Sequence, residues 1–439
     1  MPAVESVAST HGWPKIVDVA VIGGGVVGVA TAWHLARRGV SVALFEKGEI
    51  AGEQSSRNWG FCRQQGRDPG EIPLAMESLR VWRRLNEKTG RETGFRQTGL
   101  LYVTEKESDV VRWQSWLKHA QPYQLESKIL SAKELANKLP GADGNWRAGL
   151  WTASDGRAEP SKAVPAMAED AKQHGAAVFT GCAVRGVDTG GGRLCALVIE
   201  RGRVSASAAV LAGGAWSRLF CKRHGIKLKA LNVKASVQRT GLAPKVFDGG
   251  LADHRFAIRR RLDGGYSVAR PAATTYEIVP DGIRWFRDFW PAYLLERHRM
   301  KIRIGPNSLT ELVQLANWSL DGMSPFEVVR TLDPEPDHAI LDDAFSAMKK
   351  ALPALADVQI KERWAGMIDA TPDAVPVMDE VESMPGFFLA SGFSGHGFGI
   401  GPGAGQLMAD LITGATPCVD RAPFRLSRLD EPGLRPWSV

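Results

Sequence analysis

Residues 16–48 read IVDVAVIGGGVVGVATAWHLARRGVSVALFEKG. Ile16 to Ile22 is a short apolar, β-branched run. Val26 to Arg38 has helical spacing through Val29, Trp33 and Ala36 and is stopped by Gly39, and Val40 to Phe45 is a second buried strand. Together they form a complete βαβ unit. Gly23, Gly25 and Gly28 supply the G-x-G-x-x-G spacing between the first strand and the helix. The first glycine permits a tight turn, the second lets a pyrophosphate approach the backbone, and the third lets the helix pack closely on the sheet. Glu46 closes the second strand, 18 residues after Gly28, placed to accept hydrogen bonds from a ribose 2′-hydroxyl. A bare glycine-rich turn does not need strand, helix, strand and carboxylate in this order, so a dinucleotide site is expected. A carboxylate at the ribose disfavours a 2′-phosphate and leaves NAD or FAD.

The far end of the chain bears on that choice. Residues 386–414, GFFLASGFSGHGFGIGPGAGQLMADLITG, read as a strand, a glycine-rich turn, and a helix that starts near Pro402 and stops at Gly414. A two-domain NAD dehydrogenase does not need this second turn. An extended FAD does: its adenosine half rests on the first fingerprint and its ring end against glycine backbone and another helix N-terminus. Between the two ends, Pro160 to His174 is helical, Ala177 to Thr180 is a strand, and RVSASAAVLAGGAWSRL runs from a buried strand into Gly213 and Gly214. From about 226 to 358 the pattern turns β-rich and then helical and aromatic, as in a separate substrate domain. The expected fold is an α/β, Rossmann-like FAD-binding domain (15–90, 145–225 and 360–425) with an α+β substrate domain (91–144 and 226–359) on a mostly antiparallel sheet. Residues 1–14 read as a loose leader.

Composition narrows the function classes. The 439 residues, 44% apolar, suffice for two or three domain-sized units with large cores. The charge of +7 suits nucleic acid, an anionic membrane or a small anionic substrate, and no Lys/Arg block is long enough to favour nucleic acid. The 5 cysteines form no CxxC pair, which argues against a disulfide framework or zinc cluster and fits a cytoplasmic protein. No apolar run approaches the roughly 18–20 residues of a spanning helix.

With these motifs in order, the chain resembles the D-amino acid oxidase superfamily of FAD enzymes, in the branch with glycine oxidase, sarcosine oxidase and the opine and amine oxidases. The resemblance covers nearly the whole chain and is carried by VAVIGGGVVGVATAWHLARRGVSVALFEKG, SSRNWG, LAGGAWS, RWAGMIDATPDAVPVMD and GFFLASGFSGHGFGIGPGAG. It implies an FAD whose pyrophosphate lies on Gly23, Gly25, Val26 and Val27 and whose ribose end meets Glu46 and Lys47. It further implies that Ser55, Ser56, Arg57, Asn58 and Gly60 form the loop past the flavin, that Val184 brackets the adenine, and that Gly213, Gly214 and Trp216 form the second glycine turn. Gly395, His396, Gly397, Phe398 and Gly399 match the turn at the flavin ring. Sarcosine oxidases carry a flavin-linking cysteine before TPD; WAGMIDATPD has none, so the FAD is expected to be noncovalent. The family's two carboxylate anchors are also replaced, an arginine by Ile368 and a lysine by Gly399.

If the substrate is a carboxylate, planar arginines are its natural grip. Arg63 and Arg67 follow the flavin loop and are the first candidates; otherwise they are surface or phosphate-contacting side chains. Tyr266 and Arg270 share one face of a strand with residue 268 and point either to the flavin or outward. His396 serves as an acid or base, or contacts flavin by its ring or backbone. Cys62 is either a small buried side chain or a nucleophile. In residues 284–303, Phe286, Phe289, Trp290, Tyr293 and Leu294 share a helical face among basic side chains, which lies on a membrane and feeds a quinone or covers the substrate domain. The resemblance implies oxidation of an anionic amine, N-carboxymethyl or opine-like, with iminodiacetate favoured. The C–H hydrogen goes to flavin N5, the imine is hydrolysed, and O₂ is reduced to H₂O₂. The alternatives are a membrane-peripheral, quinone-coupled amino acid dehydrogenase and a redox-silent nucleotide-binding module.

Overall fold

Ile16–Ile22 lies inside an eight-stranded sheet, flanked in parallel by Gly202–Leu211 and Val42–Phe45. Parallel strands with both faces covered read as continuous apolar runs, as these do. Ala177–Phe179 extends the sheet beyond Val42–Phe45, and Phe387–Ser391 extends it beyond Gly202–Leu211, with Val377–Glu380 antiparallel at that edge. The antiparallel strands Val184–Gly190 and Arg193–Ile199 branch from Gly202–Leu211. The helix Val26–Ala36 is buried at every position but His34, packed between Gly397–Thr413 and Pro160–Gln173. The computed structural model describes residues 2–305, 308 and 317–437; residues 306, 307 and 309–316 of the expected substrate domain lie outside the described residues.

The second domain is a nine-stranded sheet in the order Ile360–Ala370, Leu231–Thr240, Tyr266–Glu277, Ala257–Arg260, Gly250–Ala252, Leu100–Thr104, Ala148–Thr152, Ser127–Ser131, with Met300–Arg303 beside Tyr266–Glu277. It is mixed: Gly250–Ala252 runs parallel to Leu100–Thr104, and Met300–Arg303 parallel to Tyr266–Glu277. The helix His338–Ala351 packs on one face over Tyr266, Val268, Ile258 and Leu251. On the other face Val237, Ala269 and Trp364 meet Trp59, and Leu100, Ala252 and Ala257 meet Phe61.

Several boundaries differ from expectation. Ala148–Thr152 and Ile360–Ala370, assigned from sequence to the cofactor domain, hydrogen-bond into the second sheet. The second of these leaves that sheet only at Ala370, which bridges to Phe393 of the glycine-rich turn. The C-terminal helix begins at Gly397, with Pro402 inside its first turns. The leader is not loose: Glu5 N–H donates to Ser161 O (3.1 Å), Thr10 N–H to Val178 O (2.7 Å), and Trp13 stacks on Phe179 with centroids 4.3 Å apart. Residues 284–303 form the end of a short helix Pro280–Arg284, the helix Phe286–Glu296 and the strand Met300–Arg303. The helix Phe286–Glu296 has no fully buried residue, and Phe286, Trp290 and Leu294 are 56%, 41% and 44% exposed. No helix among the described residues is long and apolar enough to cross a membrane.

Candidate active site

A cleft of about 1190 Å³, open at its mouth, runs along the carboxyl ends of the parallel strands. This is where open α/β sheets bind ligands. Its lining includes Gly23, Gly25, Val26, Val27, Glu46, Lys47, Ser55, Asn58, Val184, Gly213, Gly214, Trp216, Gly395, Gly397 and Phe398. The chain thus brings residues from its first 60 positions, its middle and its last 50 to one channel. Gly23 takes φ +111°, and a Cβ on Gly28 would lie 2.0 Å from Gly23 O, so the turn and helix touch backbone to backbone. The helix starts at Val26 with no acid in its first turn; Val26 N–H donates to Ser55 Oγ (2.8 Å), and the helix's positive end faces the cleft. Glu46 accepts from Gly24 N–H and Gly48 N–H, both at 2.7 Å, which fixes its carboxylate in the cleft where the sequence expects the ribose. Burial raises its pKa. A Gly-built cradle, a helix N-terminus without acidic side chains and an anchored carboxylate fit the pyrophosphate and ribose of FAD.

The remaining expected cofactor residues, Gly28, Ser56, Arg57, Gly60, His396 and Gly399, are not among the cleft's lining and stand behind it. Arg57 is buried and donates to Ala365 O (2.9 Å) and Gly52 O (3.2 Å), tying the loop 55–60 to the second sheet. Ser56 Oγ donates to Glu53 O, and Gly60, at φ +81°, leaves room for the Arg259 guanidinium. Gly399 O accepts from Ser78 Oγ and Trp82 Nε1. Other lining residues were not foreseen: Glu53, Gln54, Phe220, Phe326, Met367 and Asp369. Glu53 accepts from Lys47 Nζ (2.6 Å), Trp216 Nε1 (3.1 Å) and Leu332 N–H (3.0 Å), while Lys47 Nζ also donates to Val329 O and Arg330 O. A segment after Phe326 therefore lies over the expected ribose end, and no motif in it announces that position. Asp369 accepts from Gly392 N–H at 2.5 Å; burial pushes its carboxyl up to about 6.

Beside the turn Gly395–Gly397, but outside the cleft's lining, three expected catalytic residues meet. His396 sits between the lining residues Gly395 and Gly397, and its Nδ1 lies 3.2 Å from Glu71 Oε2. Glu71 is fully buried, yet its pKa is lowered: the His396, Arg67 and Arg63 groups together outweigh desolvation, the largest single effect. Arg67 is 2% exposed; its Nε donates to Arg63 O (3.3 Å), and its Nη1 has no hydrogen-bond partner among the described residues. Burial, reinforced by Arg63, lowers the Arg67 guanidinium to about 9. Arg63 lies 5.8 Å over the Tyr102 ring and donates to Gln65 O. The loop is pinned from below, because Asp155 accepts from Gln64 N–H (2.9 Å) and Gln65 N–H (3.2 Å) and Trp116 Nε1 donates to Arg67 O (2.9 Å). Glu71 had no sequence signal beyond its closeness to Arg67.

Tyr266 and Arg270 are elsewhere. Tyr266 lies under helix His338–Ala351, its hydroxyl accepting from Val246 N–H (3.0 Å), and Arg270 pairs with Asp343 of that helix at 3.1 Å. The alternation that grouped them was sound, but their face is the one covered by a helix, away from the cleft. Cys62 is buried and its thiol is pushed well up by desolvation, as befits a packed side chain. Arg80 pairs with Glu77 on the surface. Among the described residues, no group of three or more His, Cys, Asp or Glu is placed to hold a metal.

Comparison with known proteins agrees with this geometry. A solved L-amino acid deaminase from Proteus myxofaciens is 35% identical, with 98% of this chain and 97% of that chain covered and a TM-score of 0.93. The corresponding figures for the L-amino acid deaminase from Proteus vulgaris are 31%, 96%, 100% and 0.92. Mitochondrial dimethylglycine dehydrogenase of Mus musculus is 25% identical over 99% of this chain, which spans 46% of that protein's length. The chain spans about half the length of the curated relatives it matches first. The family model described as FAD dependent oxidoreductase matches residues 18–411, the stretch holding both glycine turns and the cleft between them, so the chain belongs to the FAD-dependent oxidoreductase family and FAD is its cofactor.

Proposed function

We propose that the chain oxidises the Cα–N bond of an amino acid, with L-α-amino acids favoured, to an imine that water converts to a 2-oxo acid and ammonia. Bound FAD supplies the two-electron oxidation. The observation that carries the reading is Arg67, a buried guanidinium behind the cleft's lining whose Nη1 finds no hydrogen-bond partner among the described residues and whose charge acts on His396 of the glycine-rich turn. Nη1 is enclosed, so a carboxylate that reaches it as the loop gives way gains a charge-assisted hydrogen bond that water does not compete for. Arg63, held over Tyr102, offers a second cationic contact. Likeness to two L-amino acid deaminases supports the choice of class. The loop 62–68 orients the substrate, a contribution made by position rather than by an acid or base. Among the described residues no cysteine, histidine or tyrosine lines the cleft, which favours noncovalent FAD; acid precipitation should leave the flavin in the supernatant.

The test is anaerobic bleaching of the yellow holoprotein by L- and D-amino acids, sarcosine, iminodiacetate and uncharged amines. Bleaching by L-α-amino acids with release of ammonia is expected. Bleaching by iminodiacetate alone would restore the amino diacid expected from the sequence, and bleaching by uncharged amines alone would refute the carboxylate anchor. The electron acceptor is a separate question. The exposed Ile283, Phe286, Trp290 and Leu294, with Arg284, Arg287 and Arg297 nearby in sequence, favour a quinone at an anionic membrane surface over O₂. Flotation with vesicles containing phosphatidylserine, together with little H₂O₂ in air, is expected; vigorous H₂O₂ production without flotation would favour O₂.

A further inference from the structure

We propose that His396, oriented by Glu71, accepts the proton that an amino acid's ammonium group sheds once the carboxylate is seated at Arg67. The inference rests on the reading of Arg67 as the carboxylate anchor. An α-amino acid arrives as a zwitterion, and its nitrogen needs a free electron pair before the neighbouring C–H can leave with its own. The proton therefore requires a base beside the anion site.

Three charged groups face the His396 ring: Glu71 at the start of helix Ile72–Thr89, and Arg67 and Arg63 on the preceding loop. Tyr102 and Asp155 act on Arg67, and Asp68 neighbours Glu71. Asp155 is spoken for by two backbone N–H groups, and Glu71 has no exposed side-chain surface. His396 is different. Glu71 is held ionised and can only accept, so Nδ1 carries the ring hydrogen and Nε2 presents its lone pair. Among the described residues no hydrogen bond engages Nε2. The side chain is 23% exposed, which leaves a way out to water.

In the proposed step a substrate N–H bond breaks, its electron pair stays on nitrogen, and the proton bonds to Nε2. The resulting imidazolium faces the Glu71 carboxylate and later gives the proton to solvent. Burial, Arg67 and Arg63 hold the free imidazole down at about 4, so it is neutral and ready. A carboxylate on Arg67 cancels part of that cationic field and raises the ring's basicity when the proton must be taken.

Benzoate, a carboxylate without an amine, isolates this coupling in the holoenzyme, read by perturbation of the flavin spectrum. Benzoate affinity should weaken as pH rises above about 5, approaching about tenfold per pH unit for one linked proton, and then level off. His396→Asn should flatten the dependence. Glu71→Gln should move its upper limit to lower pH, and carries the test if the first variant loses flavin. A slope unchanged in both variants, with flavin retained, overturns the proposal. Arg67→Met separates the two levels: if it leaves benzoate binding intact, the anchor reading fails; if it weakens binding while His396→Asn keeps the slope, only the proton acceptor fails.

Discussion

Arg67→Met should separate function from stability. The guanidinium is 2% exposed, its Nη1 has no partner among the described residues, and burial lowers it to about 9. The folded protein thus holds a charge at a site that disfavours it, an arrangement that serves a ligand better than the fold. Methionine keeps the unbranched stem as far as the Nε position and removes the charge. Glu71 keeps its contact with His396, so no carboxylate is left alone. Loss of a charge-assisted hydrogen bond to a carboxylate costs about 1.5–3 kcal/mol. At about 1.4 kcal/mol per decade that is roughly a 10- to 150-fold rise in KM. The melting temperature should stay level or rise. Steady-state kinetics with the best bleaching amino acid and a thermal melt of the same holoprotein give both numbers. An unchanged KM with a lowered melting temperature would make Arg67 a structural residue and refute the reasoning.

Two further outcomes follow from the geometry. In Gly28→Ala the new Cβ would stand 2.0 Å from Gly23 O, a backbone atom that cannot swing away, so the helix must shift off the pyrophosphate turn at about 1–3 kcal/mol. Flavin content per protein, read by absorbance, should fall sharply, and full flavin with an unchanged melt would contradict the role given to Gly28. Acid should weaken the fold through histidines held neutral: His34 is lowered to about 3, and His224 and His396 to about 4, in each case chiefly by desolvation. Their folded pKa values lie below the unfolded value of 6.5, so the unfolded chain binds more protons and stability falls as pH drops from 6.5 towards 4. Asp155 and Asp369, raised to about 6, act in the opposite sense. Denaturant unfolding across this range should show His34→Gln with a flatter slope, by about 1.4 kcal/mol per pH unit at most; an identical slope would mean that His34 is not neutral in the fold.

The sequence alone determined the βαβ unit, the glycine turns and the cofactor they imply, because strand, turn, helix and C-cap depend on neighbours a few residues apart. It also established that residues 266, 268 and 270 share a face. Which face looks at the cleft was decided by the helix His338–Ala351, which packs over Tyr266 and Val268 and turns Val237 and Ala269 toward Trp59. Ile360–Ala370 was misassigned for a related reason: it is continuous in sequence with the C-terminal cofactor segment, yet ten of its pairings are to Leu231–Thr240. The leader, too, had no periodicity to show that Trp13 would find Phe179. Above all, Glu71 and His396 stand 325 positions apart, and no spacing rule links them. Their meeting depends on helix Ile72–Thr89 packing against helix Gly397–Thr413, where Ser78 and Trp82 donate to Gly399 O. Local geometry is written in adjacent side chains, but the juxtaposition of charges at the candidate site exists only once the helices that carry them are buried against each other.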